Sequence, residues 1–476
     1  MMLEYLLFVP LIAGILAFIM PDKINRLLLV STGIWNLGFS FYIWFERPEA
    51  IFNQYFKISP EGLLVLLVIS FLFFIVSLYS ISYLEVTKLS NKSVYTGSML
   101  FFLATMSMAT ISDHIIVFWI AIEATTLASA PLILLHKTKE SLEATWKYVI
   151  ICSVGIALAL LGSVLMTISI DIAGVDVSLT FSALTDSAGQ LDKAWLKAGF
   201  IFVLVGYGTK MGLAPMHTWL PDAHSEAPSP ASALLSGVLL NCAYLGILKT
   251  SGILFSADLG VFTGNVLIAF GLMSVIASAT FILKQTDYKR LLAYSSIENM
   301  GIIAFGTGIG GIAAYGAILH LIHHSLIKSS LFLSSGNILL GYGSKLIDKT
   351  GSLAKYLPKT FVCFFGGIIG LVGLPPFGIF ISKLLIILGA FQQGRYIVVS
   401  ILLVCLLLIS AGLMRYVMKI SFNPIETTIA LKEKPLLYLP QLTLLVVSVI
   451  LCFWIPDALY QTIIQSISSI SGGFNG

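Results

Sequence analysis

Charge is scarce in this chain: Asp, Glu, Lys and Arg make up 11% of its 476 residues, against 58% hydrophobic residues. The mean hydropathy is +0.97. This balance excludes aqueous disorder, a collagen-like repeat and an ordinary soluble globular chain. Alternation of apolar and polar residues is missing as well. The apolar residues come in long runs, which excludes a transmembrane barrel. Cysteine is limited to Cys152, Cys242, Cys363, Cys405 and Cys452, each alone in an apolar run. Without a C-x-x-C spacing there is no pattern for an iron–sulfur cluster, a zinc knuckle or a disulfide framework, and these thiols read as small apolar filler. The stretch MMLEYLLFVPLIAGILAFIMPDK lacks a basic leader and carries Glu4, so it reads as a first span and not a cleaved signal. The net charge of +4 is no sign of nucleic acid, because the placement of the cations decides their meaning.

What is present is helix-forming apolar sequence. A helix needs roughly 20 apolar residues to cross the hydrocarbon layer, where no water satisfies the backbone. Divided at its charged and Pro/Gly-rich breaks, the chain gives about fourteen such spans, an all-α polytopic membrane protein. With the N-terminus outside, seventeen basic residues, Lys88 and Lys289 among them, fall in inner loops. Only Arg47, Lys57, Lys193 and Arg395 fall in outer ones, and the outer loop 171–192 holds four aspartates. The bias of basic residues toward the cytoplasm then predicts both termini outside.

Six basic residues remain, Lys197, Lys210, Lys249, Lys328, Lys383 and Arg415. Lys197 and Arg415 lie near helix ends, where long side chains reach the interface; His114 and His136 also read as interfacial. The others are at depth. A charge at the bilayer centre costs roughly 2.5–3.5 kcal/mol on insertion scales, so such residues persist when paired, hydrated or useful. Glu123 stands in the middle of the fifth span, Lys210 in the seventh, Glu298 in the tenth, His320, His323, His324 and Lys328 in the eleventh, and Lys383 in the twelfth. His320, His324 and Lys328 are spaced i, i+4, i+8, on one helix face over about 12 Å, a stripe suited to passing protons through waters. Glu123 and Lys210 sit half-way along their spans and would pair if helices five and seven pack. Such a pair is poor stabilisation and better suited to switching, because a change of charge on one partner is felt by the other.

Two of these spans are interrupted. In GTKMGLAPMHTWLPDAHSEAP, Pro215 and Pro221 cannot extend a helix, so the seventh span breaks soon after Lys210. In GLVGLPPFGIFISKLLIILGA, Pro375 and Pro376 break the twelfth and Lys383 follows. The order is mirrored, lysine then break against break then lysine. Broken helices in corresponding positions point to an inverted repeat with a transport site near the midplane. The units are residues 96–256 and 260–420, flanked by 1–95, helices one to three, and 421–476, helix fourteen. His217, Asp222, His224 and Glu226 allow a metal reading, and with it a membrane metal-dependent hydrolase, but they match no i, i+4 metalloprotease pattern.

The segments HTWLPDAHSEAPSPASALLSG, DYKRLLAYSSIENMG, HLIHHSLIKSSLFLSSG and GLPPFGIFISK resemble the proton-conducting membrane transporter family. This family comprises the antiporter-like subunits of respiratory complex I, Mrp cation/proton antiporters and energy-converting membrane-bound hydrogenases. The resemblance covers about residues 60–420 and implies fourteen helices with two inverted five-helix units and a central file of charged residues. Carried over, Glu123 and Lys210 match its glutamate–lysine pair, His320, His324 and Lys328 its polar eleventh span, and Lys383 the terminal residue of the second unit. Where the family often has a lysine in the eighth span this chain has Asn241, which cannot take up a proton; Lys249 lies two turns on. The combination AYSSIE with Glu298, and the short stretch after the last span, look most like the hydrogenase-4 component F branch. The resemblance implies an inner-membrane, proton-translocating, non-catalytic subunit with no cofactor of its own. Iron–sulfur clusters and a nickel–iron centre or flavin are then expected in partner subunits, a peripheral redox arm and other membrane subunits of one complex.

Overall fold

The computed structural model describes residues 3–471 except 49, 51, 88, 90, 426–428 and 430, so Lys88 lies outside the described residues. The helices are α1 (Tyr5–Ala17), α2 (Asp22–Glu46), α3 (Pro60–Val86), α4 (Lys92–Ile111), α5 (Ile115–Ile133), α6 (Lys139–Ala173) and α7 (Phe181–Asp186). There follow α8 (Lys193–Met211), α9 (Trp219–Glu226), α10 (Ser229–Leu234), α11 (Leu240–Ser256), α12 (Gly260–Ile282), α13 (Tyr288–Ile309) and α14 (Gly311–Tyr342). The last are α15 (Leu353–Tyr356), α16 (Pro358–Val372), α17 (Gly378–Gln392), α18 (Tyr396–Phe422), α19 (Leu439–Phe453) and α20 (Asp457–Ser471).

Among the described residues nine helices are long and apolar enough to cross a membrane, or ten if α19 and α20, bent by 78°, count as one. The shortfall against about fourteen has a physical origin. At 22 and 32 residues α13 and α14 are long enough, but Glu298 and the His and Lys side chains lower their hydropathy. The segments α1, α16 and α17 are short, the last two because Gly373, at φ +91°, and the adjacent Pro375 and Pro376 divide them. Likewise α8 stops at Met211, where Gly212 takes φ +84° and leads through Pro215 into a short 3-10 turn and α9. Both expected breaks are therefore found. The C-terminal segment, expected as one helix, is two, parted at Trp454–Pro456.

Lipid is as apolar as leucine, so helices in a membrane associate through close packing and polar contacts. The approach of α6 to α8 depends on glycine. A Cβ on Gly155 would lie 2.6 Å from Cβ of Thr209, one on Gly162 2.7 Å from the Gly199 carbonyl, and one on Gly206 2.5 Å from the Ala159 nitrogen. At the centre stand α10, α11 and the π-helical turn Leu235–Leu239 between them, buried up to Leu254, against α14. Sheathed by other helices, these segments need no apolar exterior, and their shared surface is rich in serine: Ser232, Ser236, Ser295, Ser296, Ser325 and Ser329 are fully buried.

A buried file of ionisable side chains

Lys210 sits in the last turn of α8, completely buried. Its Nζ donates to Thr126 Oγ1 at 2.7 Å and to the Tyr148 hydroxyl at 2.7 Å, and lies 4.6 Å from the Tyr148 ring centre. Glu123, half-buried on α5, accepts from Ser153 Oγ at 2.6 Å and from Thr126 Oγ1 at 3.4 Å. The direct ion pair expected from the sequence is thus replaced by a bridged one. α6 packs against both helices and offers Tyr148 and Ser153, while Thr126, one turn after Glu123, stands between the charges. A hydroxyl that accepts from the ammonium and donates to the carboxylate is a proton bridge.

Asn241 is the second residue of α11, just after the π-helical turn. Its Nδ2 donates to the Gly237 carbonyl at 2.9 Å and to Ser325 Oγ at 2.7 Å, while its buried Oδ1 has no protein partner and is free to accept from water. Ser325 belongs to α14, which carries the stripe. The three stripe residues do share a face; Lys328 and His320 have hydrogen-bond partners there, whereas both ring nitrogens of His324 are buried without one. Lys328 donates to the Leu292 carbonyl and Ser295 Oγ, both on α13. The His320 and His324 rings lie nearly parallel, 13° apart in tilt, with centres separated by 6.5 Å. His320 is held on both sides, Nδ1 by Ser382 Oγ at 2.9 Å and Nε2 by Asn299 Oδ1 at 2.8 Å. His323 points away to Ser448 of α19, 3.0 Å distant, and leaves the file.

The file ends in a direct ion pair. Lys383 Nζ is 3.1 Å from Glu298 Oε1 and also donates to the Leu371 and Val372 carbonyls at 3.3 Å each. Those carbonyls belong to the end of α16, where the helix leaves them without an intrahelical partner. The Pro375–Pro376 break thus supplies part of the Lys383 site.

Two residues are not where the sequence suggested. Lys249 does not join the file: it donates to the Ser112 carbonyl at 2.7 Å, and buried Leu245 lies between it and Asn241. It faces a cavity of about 260 Å³ shared with Glu61, Asp113, Lys57 and Asp186. Lys289, assigned to a loop, is buried and donates to the Ala227 carbonyl at 2.6 Å. Beside that cavity His114 caps α5 by accepting from the Ile116 amide at 3.2 Å; partial burial pushes its imidazole pKa below the ordinary value, against the opposing pull of Asp113.

At the other end of the bundle a second cavity, of about 180 Å³, is lined by Glu140, Glu143, Lys147, Asp222, Glu226 and Arg290. Asp222 pairs with Lys147 at 3.1 Å and with Arg290 at 2.6 Å, and Glu226 pairs with Lys345. His224 is buried against the Phe332 ring at 4.8 Å with neither nitrogen partnered, and His217 packs near Phe281 and Tyr294. The candidate ligands therefore take separate partners, and among the described residues no three His, Cys, Asp or Glu are placed to hold a metal ion. Sequence reasoning missed Thr126, Tyr148, Ser153, Asn299 and Ser382; their one signal is that each is polar within an apolar run.

Comparison with known proteins agrees with this arrangement. The family described as NADH:quinone oxidoreductase/Mrp antiporter, TM matches residues 112–410. A hydrogenase-4 component F homolog of Methylacidiphilum infernorum is 37% identical over 394 residues, covering 81% of this chain and 82% of that protein. Hydrogenase-4 component B of Escherichia coli is 31% identical over 364 residues, 73% of this chain, which spans about half (52%) of that relative's length. In fold, the chain superposes on a subunit of an archaeal membrane-bound sulfane sulfur reductase with a TM-score of 0.88 at 21% identity, covering 98% of this chain and 97% of the other. A subunit of the Mrp complex from Dietzia sp. gives 0.84 at 18% identity, covering 99% and 97%. The chain belongs to the NADH:quinone oxidoreductase/Mrp antiporter transmembrane family, as an antiporter-like, multi-pass membrane subunit.

Proposed function

We propose that this chain translocates protons within a redox-driven respiratory complex, as the antiporter-like subunit of an energy-converting membrane-bound hydrogenase of the hydrogenase-4 or formate hydrogenlyase type. The observation that carries the reading is the burial of Lys210, Asn241, Lys328, His324, His320 and Lys383 inside the bundle, with half-buried Glu123 bridged to Lys210 through Thr126; the reading joins them into one file. Between its ends, at Asn241, Lys328, His324 and His320, no carboxylate pairs directly with a member of the file, so no strong ion pair holds a proton there. The hydrogenase assignment is supported by the likeness to component F along most of both chains. In this reading fourteen spans cross the inner membrane with both termini outside. The two five-helix units are residues 96–256 and 260–420, and iron–sulfur clusters with a nickel–iron centre reside in partner subunits of a peripheral arm.

Redox chemistry in the partners perturbs the Glu123/Lys210 couple. Thr126 lets the carboxylate sense or take the Lys210 proton, and the neutral amine then exchanges with water on Asn241. Lys328 and the two histidines carry the charge onward, and Lys383 gates the far side. The cavity at Asp222 and Arg290 opens on the cytoplasm and the one at Lys249 on the outside.

The test is the intact complex in sealed vesicles. Electron transfer should acidify one compartment, a protonophore should collapse the gradient, and removing sodium should leave it unchanged. A strict sodium requirement would replace the proton as the coupling ion. Sodium exchange by the purified subunit without a redox partner would favour the Mrp-type alternative, and an NADH-oxidising partner set the complex I alternative. Within the file, Asn241→Leu should lower translocation about tenfold with assembly intact, because it removes the polar link between α11 and Ser325. Wild-type pumping by this variant would show that protons do not pass Asn241.

A further inference from the structure

Glu298 has no role in the scheme above, yet it is the partner of the one direct, buried ion pair described at the file. Glu298 and Asn299 are neighbours on α13, and Ser382 and Lys383 are neighbours on α17. The outer members of these two dipeptides form the 3.1 Å ion pair, while the inner members grip the His320 ring from either side, at 2.8 and 2.9 Å. All five residues are buried. One helix interface therefore holds a charge couple and a histidine clamp at the same level.

The clamp has two fully satisfied forms. Asn299 Nδ2 donates to the Ser295 carbonyl at 2.5 Å, which turns its Oδ1 toward His320 and requires a proton on Nε2. Nδ1 is then the variable nitrogen. Ser382 Oγ is within 2.9 Å of Nδ1 and 3.0 Å of the Ile379 carbonyl, with one hydrogen to give. In neutral His320 the serine donates to Nδ1. In the cation Nδ1–H donates to Ser382, whose hydrogen rotates to the Ile379 carbonyl. No polar atom is stranded in either form, so a proton added at Nδ1 is accommodated by one rotation.

We infer that Glu298 is the positioning and coupling residue of a second charge switch, in which the state of the Glu298/Lys383 pair sets whether His320 holds a proton. This deepens the proposed ion path and rests on it. While Glu298 is ionised it neutralises Lys383, and His320 can be the cation. When Glu298 takes a proton from water of the path, the Lys383 charge is uncompensated and repels a second positive charge on His320, which gives its Nδ1 proton to Ser382 Oγ as Ser382 gives its own hydrogen to a second water. The proton count is closed: one is bound at Glu298 as one leaves His320. In the first unit a hydroxyl separates carboxylate and lysine, at Thr126; in the second they touch. The two couples therefore stand in different states in one molecule, as a device that opens at one end while closed at the other requires.

The experiment uses the assembled complex in vesicles, with protons moved per electron as the reading. Glu298→Gln should keep electron transfer and assembly but lower that ratio at least about tenfold, Glu298→Asp should retain most of it, and Glu298→Lys alone should lose it. Combining Glu298→Lys with Lys383→Glu should restore it to within about threefold, a rescue that a merely structural contact would not give. Should Glu298→Gln fail to assemble, Ser382→Ala against Ser382→Thr probes the same switch, with loss expected in the first and retention in the second. Normal pumping by Glu298→Gln or by Ser382→Ala, or a swap no better than its single parents, overturns the inference. If Glu298→Gln pumps normally while Lys210→Ala does not, the second switch is wrong and the ion path stands; normal pumping by both rejects the path.

Discussion

Replacing Lys210 by alanine is expected to lower redox-coupled proton movement more than about a hundredfold while leaving the complex assembled. The fold should tolerate the loss. Tyr148 keeps its 2.6 Å bond to Ser129, and Thr126 keeps Glu123, so no hydroxyl is stranded when the ammonium leaves. What disappears is the amine that, on the proposed path, passes a proton between Glu123 and the water on Asn241. Lys210→Arg sharpens the test. A guanidinium preserves the charge and reaches the same hydroxyls but does not deprotonate, so it should be nearly as inactive as alanine. Robust pumping with arginine would mean that Lys210 acts only as a fixed charge. Translocation is read as vesicle acidification against electron flux, and assembly by co-purification.

The second large effect is structural. Gly206→Leu puts a side chain where even a Cβ would stand 2.5 Å from the Ala159 nitrogen and 2.6 Å from the Gly155 carbonyl. These are backbone atoms of a 35-residue helix, which cannot rotate aside. Overpacking of this kind costs about 1–3 kcal/mol or more. Because α6 brings both Tyr148 and Ser153 to the file, wedging it from α8 should disconnect Lys210 as well. The expected result is a clearly lowered unfolding temperature and loss of coupling. Gly189→Leu, at a position with open space around it, serves as the control and should change neither. Equal stability of the two variants would show that α6 and α8 do not depend on their close approach.

Much of this was legible in the sequence because the membrane makes polarity conspicuous. Lys210, Glu298, Lys328 and Lys383 stand out in apolar runs, and Pro215, Pro375 and Pro376 announce breaks that the helices obey. The i, i+4, i+8 spacing also placed His320, His324 and Lys328 on one face. The partners of these groups were not legible. Tyr148 reaches Lys210 because Gly155, Gly162 and Gly206 let two backbones meet, and nothing in a linear string says which glycine faces which helix. The Glu123–Lys210 pair was expected to be direct because similar depth was equated with contact; depth leaves the angle around the bundle open, and Thr126 fills the gap. Lys249 read as a possible member of the file on helical spacing, but its side chain reaches the Ser112 carbonyl, an acceptor supplied by a chain turn far away in sequence. Lys289 looked like a loop cation for the same kind of reason, since the Ala227 carbonyl that holds it comes from the end of α9.

The serine-lined interface of α10, α11, α13 and α14 has a consequence for directionality. A hydroxyl gives or receives a hydrogen with equal ease, so an interior built from serines has no forward sense of its own. On the proposed path, rectification is then imposed from the ends, by the two carboxylate–lysine couples and whatever drives them. The same polypeptide would serve a complex that builds a gradient and one that consumes it, with the sign set by the chemistry of its neighbours.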